Sequence, residues 1–323
     1  MSRAVIVHQT GGPEVLTLED RTLGAPGPGQ VALRQTAIGL NFIDTYQRSG
    51  LYPVQTPFVA GNEGAGVITA LGEGVDGLKV GDRVAYQGAV GAYAAERLIS
   101  ADRVVPVPDG IDDRTAAAIM LKGLTAFYLL FKTWPVAKGE TILWQAAAGG
   151  TGLIATQWAK ALGATVIGTA GSDEKVALAK AHGCDHVINY TKEDFAARVR
   201  ELTEGRGVDV VYDGVGKATF DKSLDCLRPR GLMVSFGNAS GVVTIPDITV
   251  LSRKGSLYVT RPTTAHYLGN RDDLLEGARL LFAAVADGAI KVEIGRTFAL
   301  DDAADAHRAL EGRETTGSVV LLP

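Results

Sequence analysis

The stretch TILWQAAAGGTGLIATQWAKALGATVIGTAGSDEK, residues 141–175, decides the fold. An apolar run, Thr141-Ile142-Leu143-Trp144, leads into the glycine-rich turn Ala147-Ala148-Gly149-Gly150-Thr151-Gly152. An amphipathic stretch over 153–162 follows, then a second apolar run, Thr165-Val166-Ile167-Gly168-Thr169. Strand, turn, helix and strand in this order predict the opening βαβ unit of a dinucleotide-binding fold. In the pattern G-x-G-x-x-G, Ala147 stands for the first glycine. Gly149 would let the backbone approach a pyrophosphate, and Gly152 would let the helix pack on the strand. The free N–H groups and dipole of the helix start attract phosphates. A glycine-rich hexapeptide alone is weak evidence, and an ordinary turn without a ligand is the alternative. The strands on either side make the signal specific.

The end of the second strand selects the nucleotide. An NAD site places Asp or Glu there, on the ribose 2′-hydroxyl. This chain has Thr169-Ala170-Gly171-Ser172, with Asp173 and Glu174 slightly later, where they suit the first turn of a helix. Ser172 can donate a hydrogen bond and Lys175 brings a positive charge, so the stretch favours a 2′-phosphate and NADPH. A solvated helix lysine is the plainer reading of Lys175.

Bulk properties narrow the rest. The 323 residues suffice for two domains, and 46% hydrophobic with 21% charged residues is ordinary for a globular protein. The formal net charge of −4 gives no footprint for nucleic acid. No apolar run is expected to reach the length of a membrane span, and the N-terminus enters a strand-like pattern at once, so no cleaved signal is expected. Two cysteines, Cys184 and Cys226, are too few for a disulfide scaffold and suit the cytoplasm.

Residues 1 to about 120 read as short strands and turns, including 30–38, 64–72 and 80–86, closed by Pro106-Val107-Pro108-Asp109-Gly110. An alanine-rich helix then starts after Asp112-Asp113-Arg114-Thr115. Helices are expected over 174–182, 193–203 and 218–227. Strands are expected over 186–188, 208–212, 232–236 and 256–259. Counted from Thr141, these give six strands in a parallel sheet. The tail carries helices over 272–287 and 301–311 and a last strand over 317–321. It is too short for a core of its own and should pack on the first domain.

With these elements in place, the whole chain resembles the zinc-free NADPH:quinone oxidoreductase family, the ζ-crystallin-like group of the medium-chain dehydrogenase/reductase superfamily. The resemblance rests on Gly11-Gly12-Pro13-Glu14-Val15-Leu16, Asn41-Phe42-Ile43-Asp44, Gly61-Asn62-Glu63-Gly64-Ala65-Gly66 and Gly81-Asp82-Arg83-Val84. Further carriers are Lys122-Gly123-Leu124-Thr125-Ala126, 146–152, Asp209-Val210-Val211-Tyr212-Asp213 and 231–237. It implies an α/β architecture: a GroES-like β-rich catalytic domain, 1–122 completed by 263–323, plus a Rossmann domain, 123–262, with a doubly wound parallel six-stranded sheet. The active cleft would lie between them. A homodimer is also implied, paired through the strand near Leu257. The implied NADPH contacts are Asn41, Phe42, Ile43 and Asp44; Thr125 and Tyr128; Gly149, Gly150, Thr151 and Gly152; Gly171, Ser172, Lys175 and Tyr190. To these it adds Val215, Phe236, Gly237, Asn238 and Ser240, then Val259, Thr260 and Arg261. Zinc-dependent relatives carry a cysteine and a Gly-His-Glu motif where this chain has Asn41 and Gly61-Asn62-Glu63, and a four-cysteine lobe that is absent here. No metal is therefore expected. Ser318 stands where many relatives have a Gly-Lys pair, which leaves a cofactor contact from the tail open.

Asn41, Tyr46 and Tyr52 are the candidates for the acceptor pocket. A tyrosine can stack on a flat ring or donate to a quinone oxygen, although simple packing is the alternative. Asp44 is read as orienting Asn41 or the nicotinamide side, or as capping a helix, and not as a general base. His182-Gly183-Cys184-Asp185-His186 has metal-binding residue types, but Gly183 at a helix end points to capping. The expected function is NADPH-dependent reduction of a quinone or another electrophilic acceptor. The alternatives are reduction of enone or enal double bonds, or a non-catalytic NADPH-binding role.

Overall fold

The computed structural model describes residues 2–323, which divide into two compact units. One comprises residues 2–124, 268–286 and 292–323, and the other 125–267 and 287–291.

The second unit is a six-stranded parallel sheet. Its spatial order is His186–Asn189, Thr165–Ala170, Thr141–Trp144, Val208–Asp213, Leu227–Ser235 and Tyr258–Thr260. The order runs outward both ways from Thr141–Trp144, so the direction of winding across the sheet switches between that strand and Val208–Asp213. Loops on the two sides diverge there and leave a crevice at the carboxyl ends of the strands. Val208–Asp213 is buried throughout, as a central strand covered on both faces requires. Leu143, Ile167, Val211, Met233 and Phe195 form the core with the helices that cover the sheet.

Two expectations for this unit need adjustment. The helix expected over 218–227 is only Phe220–Asp225, and its following strand starts at Leu227 rather than 232. Leu227 pairs with Val208 across a register shift, which reading by apolar runs could not see past Pro229. The second concerns apolar length. Residues 113–133 form one helix long and apolar enough to cross a membrane, contrary to the expectation that no run would be. Most of its apolar window, 78%, is buried in the protein, so it is a core helix whose charged residues hid its length. Its last part, Tyr128–Thr133, is π-helical, and the buried Tyr212 hydroxyl donates to the carbonyls of Leu129 and Trp134 around it.

The first unit is built on the eleven-residue strand Gln30–Leu40, which pairs with three others, Glu63–Leu71, Glu96–Ser100 and Ser318–Leu322. Arg83–Gln87, Val104–Pro106 and Ile294–Ala299 extend this sheet to seven strands. A three-stranded sheet, Leu16–Arg21, Ser2–Val7 and Phe58–Val59, completes the β structure. The tail joins through Ser318–Leu322 and the helix Ala303–Glu311, whose Ala303 and Ala306 lie in the core with Leu33, Ile38 and Tyr93. Ser318 is buried, its hydroxyl donating to the Ala118 carbonyl, so it fastens the tail to the helix Asp113–Phe127.

Gly39 marks the tightest approach in this unit. A Cβ there would collide with the Ala117 carbonyl oxygen and the Glu63 carboxylate. Gly39→Ala is therefore expected to lower stability by about 2 kcal/mol or more, the usual scale of overpacking. Urea denaturation measures this, and an unchanged midpoint would refute the packing argument.

Candidate functional site

At the carboxyl ends of the parallel strands, the helix Gly150–Ala161 begins at Gly149 with no side chain capping it. Its first backbone N–H groups are left for a ligand. A Cβ at Gly149 would meet only the Ala146 carbonyl, at 3.3 Å, so that side is nearly open. At Gly152 a Cβ would lie 2.6 Å from two carbonyl oxygens, and here the turn itself needs glycine. Ala146 takes the left-handed conformation, φ 55°, a strained choice for alanine and a frequent mark of a functional turn.

A chain of buried polar groups sets these loops. The Ala146 N–H donates to Thr169 Oγ1, whose hydroxyl donates to Gln145 Oε1 at 2.6 Å. Gln145 Nε2 donates to Ser223 Oγ, and Ser223 donates to Asp213 Oδ2 at 3.0 Å. Asp213, fully buried, also accepts from the N–H groups of Val215 and Gly216 and from the Thr219 hydroxyl. One carboxylate thus holds the whole turn after its strand. Ser240 steadies the same turn from the other side, donating to the Val215 carbonyl and accepting from the Ala218 N–H. Phe236 packs its ring 5.4 Å from Trp144 and follows Ser235 at the strand's end, with Gly237 and Asn238 beyond it. Arg261 Nη1 donates to the carbonyls of Ser235 and Gly237, joining that loop to the end of Val259 and Thr260. Tyr128 stacks on Tyr267, centroids 4.9 Å apart. Burial pushes its hydroxyl up to about 12, although bonds with Thr264 and Thr125 and the charge of Arg261 oppose this.

Ser172 and Tyr190, two of the residues expected at a 2′-phosphate, lie at the end of Thr165–Ala170, and Lys175 follows in the first turn of the next helix. Ser172 caps the helix Asp173–Ala181, its oxygen accepting from the Lys175 N–H at 3.3 Å. The Tyr190 phenol lies against Gly171, where a Cβ would leave it no room. Asp173 is occupied elsewhere, receiving Asn189 Nδ2 at 2.9 Å and Lys192 Nζ at 2.5 Å, and these bonds hold its carboxyl below the usual range.

In the first unit, Asn41 begins the helix Phe42–Arg48, on which Phe42 and Ile43 are half-buried and Asp44 is buried. Tyr46 and Tyr52 meet edge to face at 5.2 Å, and Tyr46 also lies 6.2 Å from Phe42. Asn41 Nδ2 donates to Glu63 Oε2 at 2.7 Å, so its amide is oriented by a carboxylate rather than left to turn. Asp44 accepts from the Asn41 N–H, from Asn62 Nδ2 and from the Tyr93 hydroxyl, so it caps the helix start as expected, while the Asn41 amide is oriented by Glu63. Burial lifts its carboxyl to about 6 despite those bonds and the nearby charge of Lys122. Tyr93 also contacts His307 Nε2, and Arg48 contacts His307 Nδ1 and holds Glu311 with both terminal nitrogens. Gln47 pairs with Asn62. Glu63, Gln87, Tyr93, Lys122, Gln145, Asp213 and His307 were not among the sequence candidates. The one signal for Lys122 was a lysine inside an apolar helix.

Among the described residues, no three His, Cys, Asp or Glu side chains are arranged to hold a metal ion. His182 Nδ1 lies 2.9 Å from the Leu178 carbonyl, Cys184 is buried beneath Gly168, and Asp185 binds Lys160 and the Val166 N–H.

Comparison with known proteins agrees with this geometry. Residues 27–109 match the family described as alcohol dehydrogenase GroES-like domain, and 150–270 match the family described as zinc-binding dehydrogenase. A quinone oxidoreductase of Pseudomonas aeruginosa is 53% identical over the full length of both chains. The chain belongs to the zinc-independent quinone oxidoreductase family, the ζ-crystallin-like group. Another relative, a 2-haloacrylate reductase of a Burkholderia species, is 48% identical over all of this chain and 99% of its own. The crystal structure of Escherichia coli quinone oxidoreductase complexed with NADPH superposes with a TM-score of 0.98 at 48% identity, covering all of both chains.

His307 and Asp44 give the family member a pH signature. Burial, then the Arg48 charge, depress His307 to about 3. Below pH about 6.5 the unfolded chain takes up a proton that the folded one refuses, so stability falls as pH falls toward 3. Asp44 acts oppositely. Its raised value lets the folded state keep a proton between pH 3.8 and about 6, so its contribution falls as pH rises. The stability difference between wild type and His307→Phe isolates the first effect. It should narrow by about 1.4 kcal/mol per unit from pH 6 to pH 4, measured by urea denaturation. A pH-independent difference would show that His307 is protonated in the fold.

Proposed function

We propose that the chain is a zinc-independent NADPH:quinone oxidoreductase. The observation that carries this is the Tyr190 phenol against Gly171 beside Ser172, which caps the helix that carries Lys175, with Asp173 already bound to Lys192. The Asp173 carboxylate is already engaged by Lys192, and the Ser172 and Tyr190 hydroxyls can donate beside it. The uncapped helix start at Gly149 fits the pyrophosphate. Relatives named quinone oxidoreductase, one solved with NADPH, support the same reading.

The bound nicotinamide supplies reducing equivalents, as a hydride or as electrons. The chain's residues hold and orient. Asp213 and Ser240 fix the turn at Val215, Arg261 ties the Phe236–Asn238 loop, and Gln145 braces the glycine-rich turn. Tyr52, half-buried and backed edge to face by the buried Tyr46, offers an aromatic surface to a flat acceptor, and Glu63 orients the Asn41 amide. A quinone is electrophilic enough to be reduced without strong acid help. The 2-haloacrylate reductase relative favours a second reading, in which an activated carbon–carbon double bond is the acceptor.

The active form is a homodimer in the cytoplasm. The strand Tyr258–Thr260 is a sheet edge with one neighbour, and Tyr258, Ile248, Val242 and Ile245 are exposed in this segment of the chain. An exposed apolar edge of this kind is suited to pairing with a second copy. Both cysteines are free and buried, which suits a reducing compartment.

Steady-state assays with NADPH should show turnover of small quinones, and comparison with enones separates the two acceptor readings. No turnover of any quinone would defeat the first. Lys175→Ala should weaken NADPH at least tenfold while changing NADH little, a difference of about 1.4 kcal/mol or more. Equal losses would mean that Lys175 does not read the phosphate. For assembly, sedimentation velocity should find a dimer for the wild type and a monomer for Ile248→Asp/Tyr258→Asp. A monomeric wild type would remove the edge-pairing proposal.

A further inference from the structure

We propose that Lys122 is a catalytic residue whose buried ammonium, with the Gln87 amide beside Glu63, binds the acceptor oxygen that gains negative charge. This rests on the reading above and names the electrophile of that same reaction.

The Lys122 side chain is 7% exposed and lies 3.1 Å from Glu63 Oε2. An ammonium has three N–H donors, and among the described residues this contact accounts for one. Glu63 is fully buried and already accepts from Asn41 Nδ2 and from the Leu121 N–H. Gln87 stands directly opposite Glu63 in the antiparallel ladder and is 1% exposed. Residues so paired carry their Cβ atoms on one face, roughly 5 Å apart. Neither atom of the Gln87 amide has a partner among the described residues.

Buried polar groups are seldom left unmatched, because each costs free energy when dry. The other buried cations use more of their donors, although Arg97 Nε has no partner among the described residues. Arg48 binds the Gly11 carbonyl, His307 and Glu311, and Arg97 binds the carbonyls of Ala89 and Val90. Unassigned ammonium donors and an unpartnered amide therefore flank one carboxylate, the same one that orients Asn41. The guest must be an acceptor of hydrogen bonds. The Lys122–Glu63 pair is neutral in sum, so a neutral guest enters without a charge penalty. Negative charge forming on it is then stabilised by the ammonium. A carbonyl oxygen has these properties.

Asn41 and Glu63 belong to the stretches where zinc-dependent relatives carry metal-binding motifs. In this chain both lie by a positive charge attached to the protein. For a quinone, a hydride adds to the acceptor, the displaced π electrons move to oxygen, and water supplies the proton. NADPH, quinone and one proton give NADP⁺ and hydroquinone. The Lys122 N–H stabilises the oxygen before that proton arrives and keeps its own.

The test uses the full chain with NADPH and a series of substituted 1,4-naphthoquinones of differing reduction potential. Lys122→Met is compared with Lys122→Met/Glu63→Gln, because the double variant leaves no unpaired carboxylate and keeps the fold testable. Melting temperature and NADPH affinity are measured on each. The double variant should keep NADPH affinity within about twofold. Its kcat should fall about tenfold on the most electron-poor quinone and at least tenfold further on the most electron-rich, since poorer electrophiles need more help. A uniform loss across the series, or unchanged kcat, would overturn the assignment and leave Lys122 a structural partner of Glu63. A wild type that reduces no naphthoquinone while still binding NADPH would instead defeat the underlying reading, and the assignment with it.

Discussion

A carboxylate shut away from water has to find all its donors inside the protein, and three such carboxylates set the geometry of this molecule. Glu63, Asp44 and Asp213 are each at most 1% exposed. Leaving any of them unmatched would cost several kcal/mol. Each therefore gathers N–H and O–H groups from separate stretches of chain. Glu63 brings together Asn41, Leu121 and Lys122, Asp44 collects Asn41, Asn62 and Tyr93, and Asp213 holds Val215, Gly216, Thr219 and Ser223. Loops that would otherwise wander are pinned by a requirement of solvation. Positions that must be accurate for chemistry are thus fixed from behind rather than from the solvent side.

The parallel sheet obeys a different constraint. Its central strands are covered on both faces, so the only places free to vary are the loops at the strand ends. The carboxyl ends gather an uncapped helix start, small residues and a phenol against a glycine. At the opposite ends, Asp209 binds Arg206 and Arg228 and accepts the Thr141 N–H. One end presents a helix start with no side-chain cap, and the other is closed by the protein's own ion pairs. That asymmetry is local chemistry laid on a common scaffold, and it is why the binding argument rests on side chains rather than on the fold.

The nucleotide unit was legible because its signal is local. Residues 141–175 carry strand, turn, helix and strand within one window, and hydrophobic period alone separates them. The strand Ile294–Ala299 was missed for the opposite reason. It is a partly exposed edge with Arg296 and Thr297 in its middle, so it lacks the apolar alternation that marks a half-buried strand. The left-handed Ala146 and the π-helical Tyr128–Thr133 were also invisible, since neither residue type advertises that conformation. The buried polar network was the hardest to read. Asn41, Glu63, Tyr93, Lys122 and His307 come from five distant places in the chain, and only the packed strands and helices bring them together. Asn41 was picked out through family likeness, but its orientation follows from Glu63, which no sequence window connects to it.

The same network explains how a site without a metal motif can still present positive charge. A metal ion needs several converging ligands and departs when they loosen. A lysine needs one stem and one counter-carboxylate, and its charge cannot leave. The cost is burial of an ion pair, which contributes little net stability and is severe when one partner is lost. Glu63 lowers that cost by serving Asn41 and the Leu121 N–H with the same two oxygens, so one buried carboxylate neutralises the lysine, orients the amide and fastens the helix. A lysine ammonium is also a compact point charge with rotatable donors, unlike the planar fork of arginine. It can follow an oxygen through a range of approach angles. Such tolerance suits acceptors that share an electrophilic oxygen and little else, which is the property linking a quinone to an activated double bond beside a carbonyl.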